Sequence, residues 1–156
     1  MKNTVVIFGG TGFVGSHLTS VFEKITEYDA VILCDIKDPY QKVSPFRSQL
    51  IGNNKKATYL YCDVKNEIDL QLHDHNIELI INCAAIHREP GHAPVEYFET
   101  NMLGAENVTK WAEVVNCQKI IFTSSISPYG DATSPKNEYS LVVPQTPYGT
   151  SKLVAE

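Results

Sequence analysis

Short apolar runs recur along the chain with little polar interruption: Val5–Phe8, Ala30–Cys34, the weaker Thr58–Tyr61, Leu79–Cys83 and Lys119–Thr123. Runs that do not alternate are what a strand needs when both faces of its sheet are covered. Between them the apolar positions change period. Phe13, Val14, Leu18, Val21 and Phe22 form a stripe within residues 12–24, and Phe98, Met102, Ala105, Val108, Ala112 and Val115 form another within 95–115. Both have helical spacing. A shorter helix is predicted over Asn66–His73. Residues 36–56 are polar and read as a surface loop, and residues 127–147, with Pro128, Pro135, Pro144 and Pro147, read as an irregular excursion. A last helix is predicted from Pro147, since proline suits a first helical turn. The order β-α-β-β-α-β-α-β predicts an α/β domain on a parallel, doubly wound sheet.

The first strand runs into Gly9-Gly10-Thr11-Gly12-Phe13-Val14-Gly15, with glycines at 9, 12 and 15. Glycine at such a junction permits a tight turn, lets backbone approach a pyrophosphate and lets helix pack on strand. The helix that follows offers N–H groups and partial positive charge to the phosphates. A glycine triplet is weak evidence alone and much stronger between a strand and a helix. Phe13 and Val14, inside the loop, are expected to touch the cofactor. Asp35 ends the second strand, twenty residues after Gly15. A carboxylate there accepts from the adenosine ribose hydroxyls and repels a 2′-phosphate, so NAD is expected over NADP. Ile36 follows it into the same site. Asp63, ending the third strand, is expected beside the adenine amino group, with Val64 on the ring. The alternative for Asp63 is an N-cap for the segment from Asn66. Ala84 and Ala85 are small enough to let a dinucleotide lie close to the sheet.

Composition narrows the function. With 156 residues, the chain is long enough for one domain. Thirteen basic against eighteen acidic residues give a net charge of -5, which argues against a nucleic-acid partner. No apolar stretch approaches the ~20 residues that span a membrane, and the first apolar run stops at Gly9-Gly10 instead of continuing as a signal peptide. Cys34, Cys62, Cys83 and Cys117 show no CxxC spacing and read as reduced core residues, which suggests the cytoplasm. The histidines form no ligand spacing, so no metal is expected. His87 reads as an exposed loop residue, and the sequon at Asn107 is discounted because it lies on a predicted helix.

In this order, the motifs resemble the extended short-chain dehydrogenase/reductases, and within them the nucleotide-sugar epimerases and dehydratases. The glycine loop, Asp35, Asp63-Val64, Asn82-Cys83-Ala84-Ala85, Asn101-x-x-Gly104, Thr123-Ser124-Ser125-x-x-Pro128-Tyr129-Gly130 and Pro147-Tyr148-Gly149-Thr150-Ser151-Lys152 carry the resemblance over nearly the whole chain. Pro128 departs from it, standing where valine is frequent. The resemblance implies a Rossmann-type fold, bound NAD and a nucleotide-sugar substrate. Because family members run to about twice this length, it also implies that residues 1–156 are the N-terminal portion of the NAD-binding domain. The sheet is then incomplete on its C-terminal side, and the substrate-binding region is absent. Dimers of the family imply a homodimer through the helices near Val95–Val115 and Tyr148.

Tyr148 and Lys152 lie four apart and share a helix face. A free tyrosine, with a pKa near ~10, is a poor base at neutral pH, and a neighbouring ammonium favours the phenolate. Tyr148 is thus expected to take a proton from a sugar hydroxyl while hydride leaves its carbon. The resemblance further gives Lys152 a bond to the nicotinamide ribose and Ser125 the role of orienting substrate. Asn101 is given a place at the cofactor or in a proton relay, and a buried structural role is its alternative. Ile126-Ser127 follow Ser125 where dehydratases of the family often carry Asp-Glu, which favours an epimerase. Two alternatives stay open: a reductase or dehydrogenase of another small substrate, and an NAD-binding module without turnover. Glu89–Pro94 reads as a mobile loop on the substrate side.

Overall fold

A computed structural model describes residues 1–41, 43–88, 90–131 and 134–156. The five apolar runs become β1 (Lys2–Phe8), β2 (Ala30–Asp35), β3 (Ala57–Tyr61), β4 (His75–Asn82) and β5 (Ile120–Phe122). They form one sheet in the order β3-β2-β1-β4-β5, and every neighbouring pair is parallel. Val5, Val6, Ile7 and Phe8 of the central strand are each 0% exposed. Their side chains alternate between two separate cores. Val6 and Phe8 pack with Ile32, Cys34, Ile80 and Trp111; Val5 and Ile7 pack with Val31, Leu33, Ile81 and Phe22. A strand with a core on each side has no polar face, hence the unbroken run.

Helix α1 (Phe13–Lys24) sends Phe22 into one core. The turn after it is closed by Lys56, whose ammonium donates to the carbonyls of Ile25 (2.7 Å) and Tyr28 (2.8 Å). On the other face lies a long composite helix: α3 (Pro94–Tyr97), a π-helical segment (Phe98–Leu103) and α4 (Gly104–Val114). Trp111 of α4 meets Phe8 edge to face at 5.6 Å between centroids. A Cβ on Gly104 would lie 2.7 Å from Val64 Cγ2, so glycine lets α4 sit against that loop. In the π segment and just before it, the buried residues are Tyr97 and Asn101. Phe98 and Met102, the apolar positions of the predicted stripe, are only half-buried. A π turn accommodates an additional residue, and here the inward face lies one position earlier than the apolar spacing suggested. A single 3-10 turn (Ser127–Tyr129) opens the proline-rich stretch, and α5 (Pro147–Ala155) follows it. Thr146 caps α5 by accepting from Gly149 N–H at 3.0 Å.

Two expectations are corrected. Residues 66–73 are not helical. Asp63 Oδ1 accepts from Lys65 N–H (3.1 Å), a local bond that competes with helix. Ile68, Leu70 and Leu72, which join the core, are spaced by two and not by three or four. Conversely, residues 36–56 are not all loop, because Pro45–Gly52 form α2. Ser44 caps it, Pro45 occupies its first turn, and Ile51, 3% exposed, ties it to the core of α1. With the N-cap gone, Asp63 is a turn residue at a strand end. The substrate-side loop was expected to begin at Glu89, which lies outside the described residues. Lys42 in the 36–56 stretch, and Ala132 and Thr133 in the excursion, lie outside them too. Among the described residues no helix is long and apolar enough to cross a membrane.

Candidate functional site

The loops with the predicted site residues all leave the carboxyl ends of strands, where open α/β sheets bind ligands, and the strand order reverses between β1 and β4. The glycine turn is folded tightly onto its surroundings. Gly9 and Gly10 N–H groups donate to Cys34 carbonyl (2.8 and 3.2 Å), and Gly12 N–H donates to Gly9 carbonyl (3.0 Å). A Cβ on Gly15 would stand 2.5 Å from Gly9 carbonyl oxygen and 2.6 Å from Gly10 Cα. The helix start therefore rests directly on the turn. Gly12 gives α1 no side-chain cap, so the positive end of the helix faces outward beside Phe13 (72% exposed) and Val14 (47%).

Asp35 reaches from β2 to this turn. One oxygen accepts from Thr11 N–H and the other from Lys37 N–H, both at 3.1 Å. A carboxylate has about four acceptor positions, so each oxygen keeps capacity for a ribose hydroxyl. The glycine turn and Asp35 thus fit a dinucleotide's pyrophosphate and adenosine ribose. Thr11 Oγ1 donates to Lys37 carbonyl (3.0 Å), and Arg47 Nη1 donates to Thr11 carbonyl (3.2 Å). Arg47 comes from α2, the helix that the polar composition of residues 36–56 concealed. Its signal in the sequence was the Ser44-Pro45 start. Ile36 is exposed and stands beside Asp35, while Val64 is 6% exposed and belongs to the core with Trp111. Burial raises the pKa of the Cys34 and Cys62 thiols, that of Cys62 to about 11, so both stay protonated and all four cysteines are free.

At the opposite end, Tyr148 lines a cleft of about 410 Å3 with His87, Ile126, Ser127, Gly130 and Thr146 among its neighbours. His87 is exposed but faces this cleft. Tyr148 packs on Tyr97 with centroids 6.2 Å apart. Lys152, on the same helix, is 1% exposed. Its ammonium donates to Thr123 carbonyl (2.7 Å) and sits 4.0 Å over the Phe122 ring. Ser125 Oγ accepts from Ser127 N–H at 3.2 Å and donates to Ser127 Oγ at 3.3 Å. Ala84 N–H donates to Asn82 Oδ1 (3.1 Å), which shapes the loop with Ala85. Asn101 is 1% exposed. Its Oδ1 accepts from Ile86 N–H (2.8 Å), and its Nδ2 donates to Ile86 carbonyl (3.0 Å) and Ser151 Oγ (2.9 Å). Ser151 Oγ in turn donates to Tyr148 carbonyl (2.8 Å). Asn101 therefore joins the loop after β4 to α5. Ser151 stands in the Pro147–Lys152 motif, which gave it no role and no partner. Replacing it by alanine leaves one buried amide hydrogen without its partner and is expected to lower unfolding free energy by about 1–3 kcal/mol. Urea melts measure that loss; a variant as stable as the parent would show the link to be dispensable.

Burial lowers the Lys152 pKa from 10.5 to about 8, with Cys83 and Glu156 opposing the shift. Between these values the unfolded chain binds the extra proton, so stability rises with pH from about 8 to about 10.5. Below that window both states are charged and the contribution is constant. The Lys152→Met difference curve against the parent is expected to change across this window and to be flat below it. Parallel stability curves for the two proteins would contradict the assignment.

The family model for Epimerase, the NAD dependent epimerase/dehydratase family, matches residues 5–156. The chain belongs to that family. NAD is the cofactor that the family's description names. A UDP-glucose 4-epimerase of Klebsiella pneumoniae is 32% identical over 139 residues, which are 86% of this chain and 96% of that sequence. Another from Neisseria gonorrhoeae is 32% identical over 98% of this chain but only 46% of its own length. Among solved structures, UDP-glucuronic acid 4-epimerase from Bacillus cereus, in complex with NAD, superposes with a TM-score of 0.79 at 26% identity, over 97% of this chain and 50% of that one. The Helicobacter pylori ADP-L-glycero-D-manno-heptose-6-epimerase gives 0.80 at 27%, over 99% and 49%. The chain thus spans about half the length of several relatives in its family.

Proposed function

We propose that the chain is the NAD-binding portion of a nucleotide-sugar epimerase, residues 1–156 forming one such domain. The observation that carries this reading is the placement of Tyr148 at a cleft, on the helix that buries Lys152, at the same strand ends as the glycine turn and Asp35. The turn and the start of α1 hold the pyrophosphate, with Phe13 and Val14 over it. Asp35 and Ile36 hold the adenosine ribose, and Asp63 borders the adenine, while Val64, expected on the ring, belongs to the core. Ala84 and Ala85 admit the dinucleotide close to the sheet, and Asn101 fixes their loop. NAD, when bound, supplies the hydride acceptor. Tyr148 Oη takes the proton of the sugar hydroxyl, Lys152, whose ammonium rests on the Thr123 carbonyl, supplies positive charge from the same helix, and Ser125 Oγ turns from Ser127 to orient the sugar. Ile126 and Ser127, and relatives that are UDP-glucose 4-epimerases, support epimerisation over dehydration. The four free thiols fit a cytoplasmic location. Exposed Val95, Val114 and Val154 suit the pairing of two copies through the composite helix α3–α4 and α5.

The test is to add a UDP-sugar to the NAD-loaded chain and follow the near-ultraviolet absorbance of reduced nicotinamide together with the sugar's configuration. An inverted carbon without net accumulation of reduced cofactor is expected. Steady accumulation would mean a dehydrogenase, and NAD binding with neither signal would mean a module without turnover.

A further inference from the structure

We propose that a cleft between α4 and residues 66–73 is a second ligand site, shaped for a neutral planar heterocycle that presents an N–H and a carbonyl along one edge, as a pyrimidine base does. It shares no lining residue with the cleft at Tyr148 and does not depend on the NAD-binding reading. Where the sequence predicts a helix over residues 66–73, the chain runs past α4 without forming one and leaves a cleft of about 300 Å3. That volume stands at the lower end of ligand pockets, enough for one small ring system. Ile68, Trp111 and Val114 supply its apolar walls.

Two polar groups in the cleft lack protein partners. Trp111 is only 4% exposed, and its side chain makes no hydrogen bond among the described residues. No buried side-chain nitrogen or oxygen there is without a partner, so the indole N–H reaches solvent, and the cleft is the opening that the ring lines. Asn107 lies one turn earlier on the same face of α4. Its Nδ2 donates to Val64 carbonyl (2.8 Å) and to Asn66 carbonyl (3.1 Å). The amide is thereby held in one orientation, and Oδ1 is left as an acceptor with no protein donor among the described residues. A fixed donor and a fixed acceptor on successive turns match the carbonyl and the N–H of one heterocycle edge. Charge selects against an ion. The Lys110 ammonium is taken by Glu106 at 2.6 Å, and the Glu67 carboxylate on the rim repels an anion.

Trp111 is the only tryptophan of the chain. An isotope-labelled sample therefore shows one indole N–H signal in a nitrogen–proton correlation spectrum, and its proton is the donor in question. Titrated with uracil, that signal should move downfield and saturate with a Kd of about 1 mM. N,N-dimethyluracil keeps both carbonyls but has no N–H for Asn107 Oδ1, and should bind about tenfold more weakly. Val114→Glu puts a charge on the apolar wall at a position 82% exposed, which keeps the fold and should also weaken uracil about tenfold. Excess NAD should leave the uracil response unchanged. An indole signal that does not move at about ten times the expected Kd would overturn the proposal. So would equal responses to uracil and its dimethylated form, a Val114→Glu response like the parent's, or a shift that NAD abolishes, which would put uracil in the dinucleotide site. A chain that binds uracil as described but not NAD would overturn the NAD reading and leave this one standing.

Discussion

Tyr148→Phe is expected to lower nucleotide-sugar turnover by about a thousandfold, in the range of a positioned proton-transfer group. The tyrosine lines the cleft with only its polar tip at issue, since its ring is already packed on Tyr97 at 6.2 Å between centroids. Phenylalanine keeps that contact and removes one oxygen. The loss should therefore fall on kcat, with circular dichroism and thermal midpoint close to the parent's. Rapid kinetics on the NAD-loaded protein can place it in the step that reduces the nicotinamide. A kcat within a few-fold of the parent would mean that another group accepts the proton, and His87, which lines the same cleft, would be the next to replace.

The largest effect on the fold is expected at Gly9. Its φ is +72°, and a Cβ there would stand 2.7 Å from Ala84 N and Cys83 C, both backbone atoms. Alanine meets two separate penalties. The left-handed conformation costs about 1 kcal/mol, and forcing the loop after β4 away costs about 1–3 kcal/mol more. Gly9→Ala should then lose about 2–4 kcal/mol, lowering the thermal midpoint by roughly 5–15 °C for a domain of this size. Moving the turn also moves the N–H groups of α1, so NAD affinity should fall with it. Gly52→Ala is the matched control. Its nearest contact is Tyr40 Cε1 at 3.8 Å, with no positive φ, and a change within about 0.5 kcal/mol is expected. Equal losses at both positions would show that glycine at 9 has no special steric role.

The sequence disclosed the sheet because its central strands are buried on both faces. Val5 to Phe8 alternate between two cores and so carry no polar residue. The same logic hid α2. A helix held by one buried residue, Ile51, has too weak a stripe to stand out from a polar stretch, and only its Ser44-Pro45 start betrays it. The opposite error arose at residues 66–73, where length and composition suggested a helix but Ile68, Leu70 and Leu72 repeat every second position. Of the candidate site, the glycine turn, Asp35, Tyr148 and Lys152 could be proposed from residue type at fixed spacing alone. The cross-chain links were not. Asn101 to Ser151 and Arg47 to Thr11 join segments 50 and 36 residues apart, and nothing in local spacing announces a partner at such separation.

Thr11 is anchored by bonds from three directions: its N–H to Asp35, its hydroxyl to Lys37 carbonyl and its carbonyl to Arg47. A loop fixed in this way has little conformational freedom left to lose when a ligand arrives. Association at this end then resembles rigid docking, with an on-rate set by encounter and charge steering and no slow ordering phase. Differences in residence time between related dinucleotides would lie in how quickly they leave.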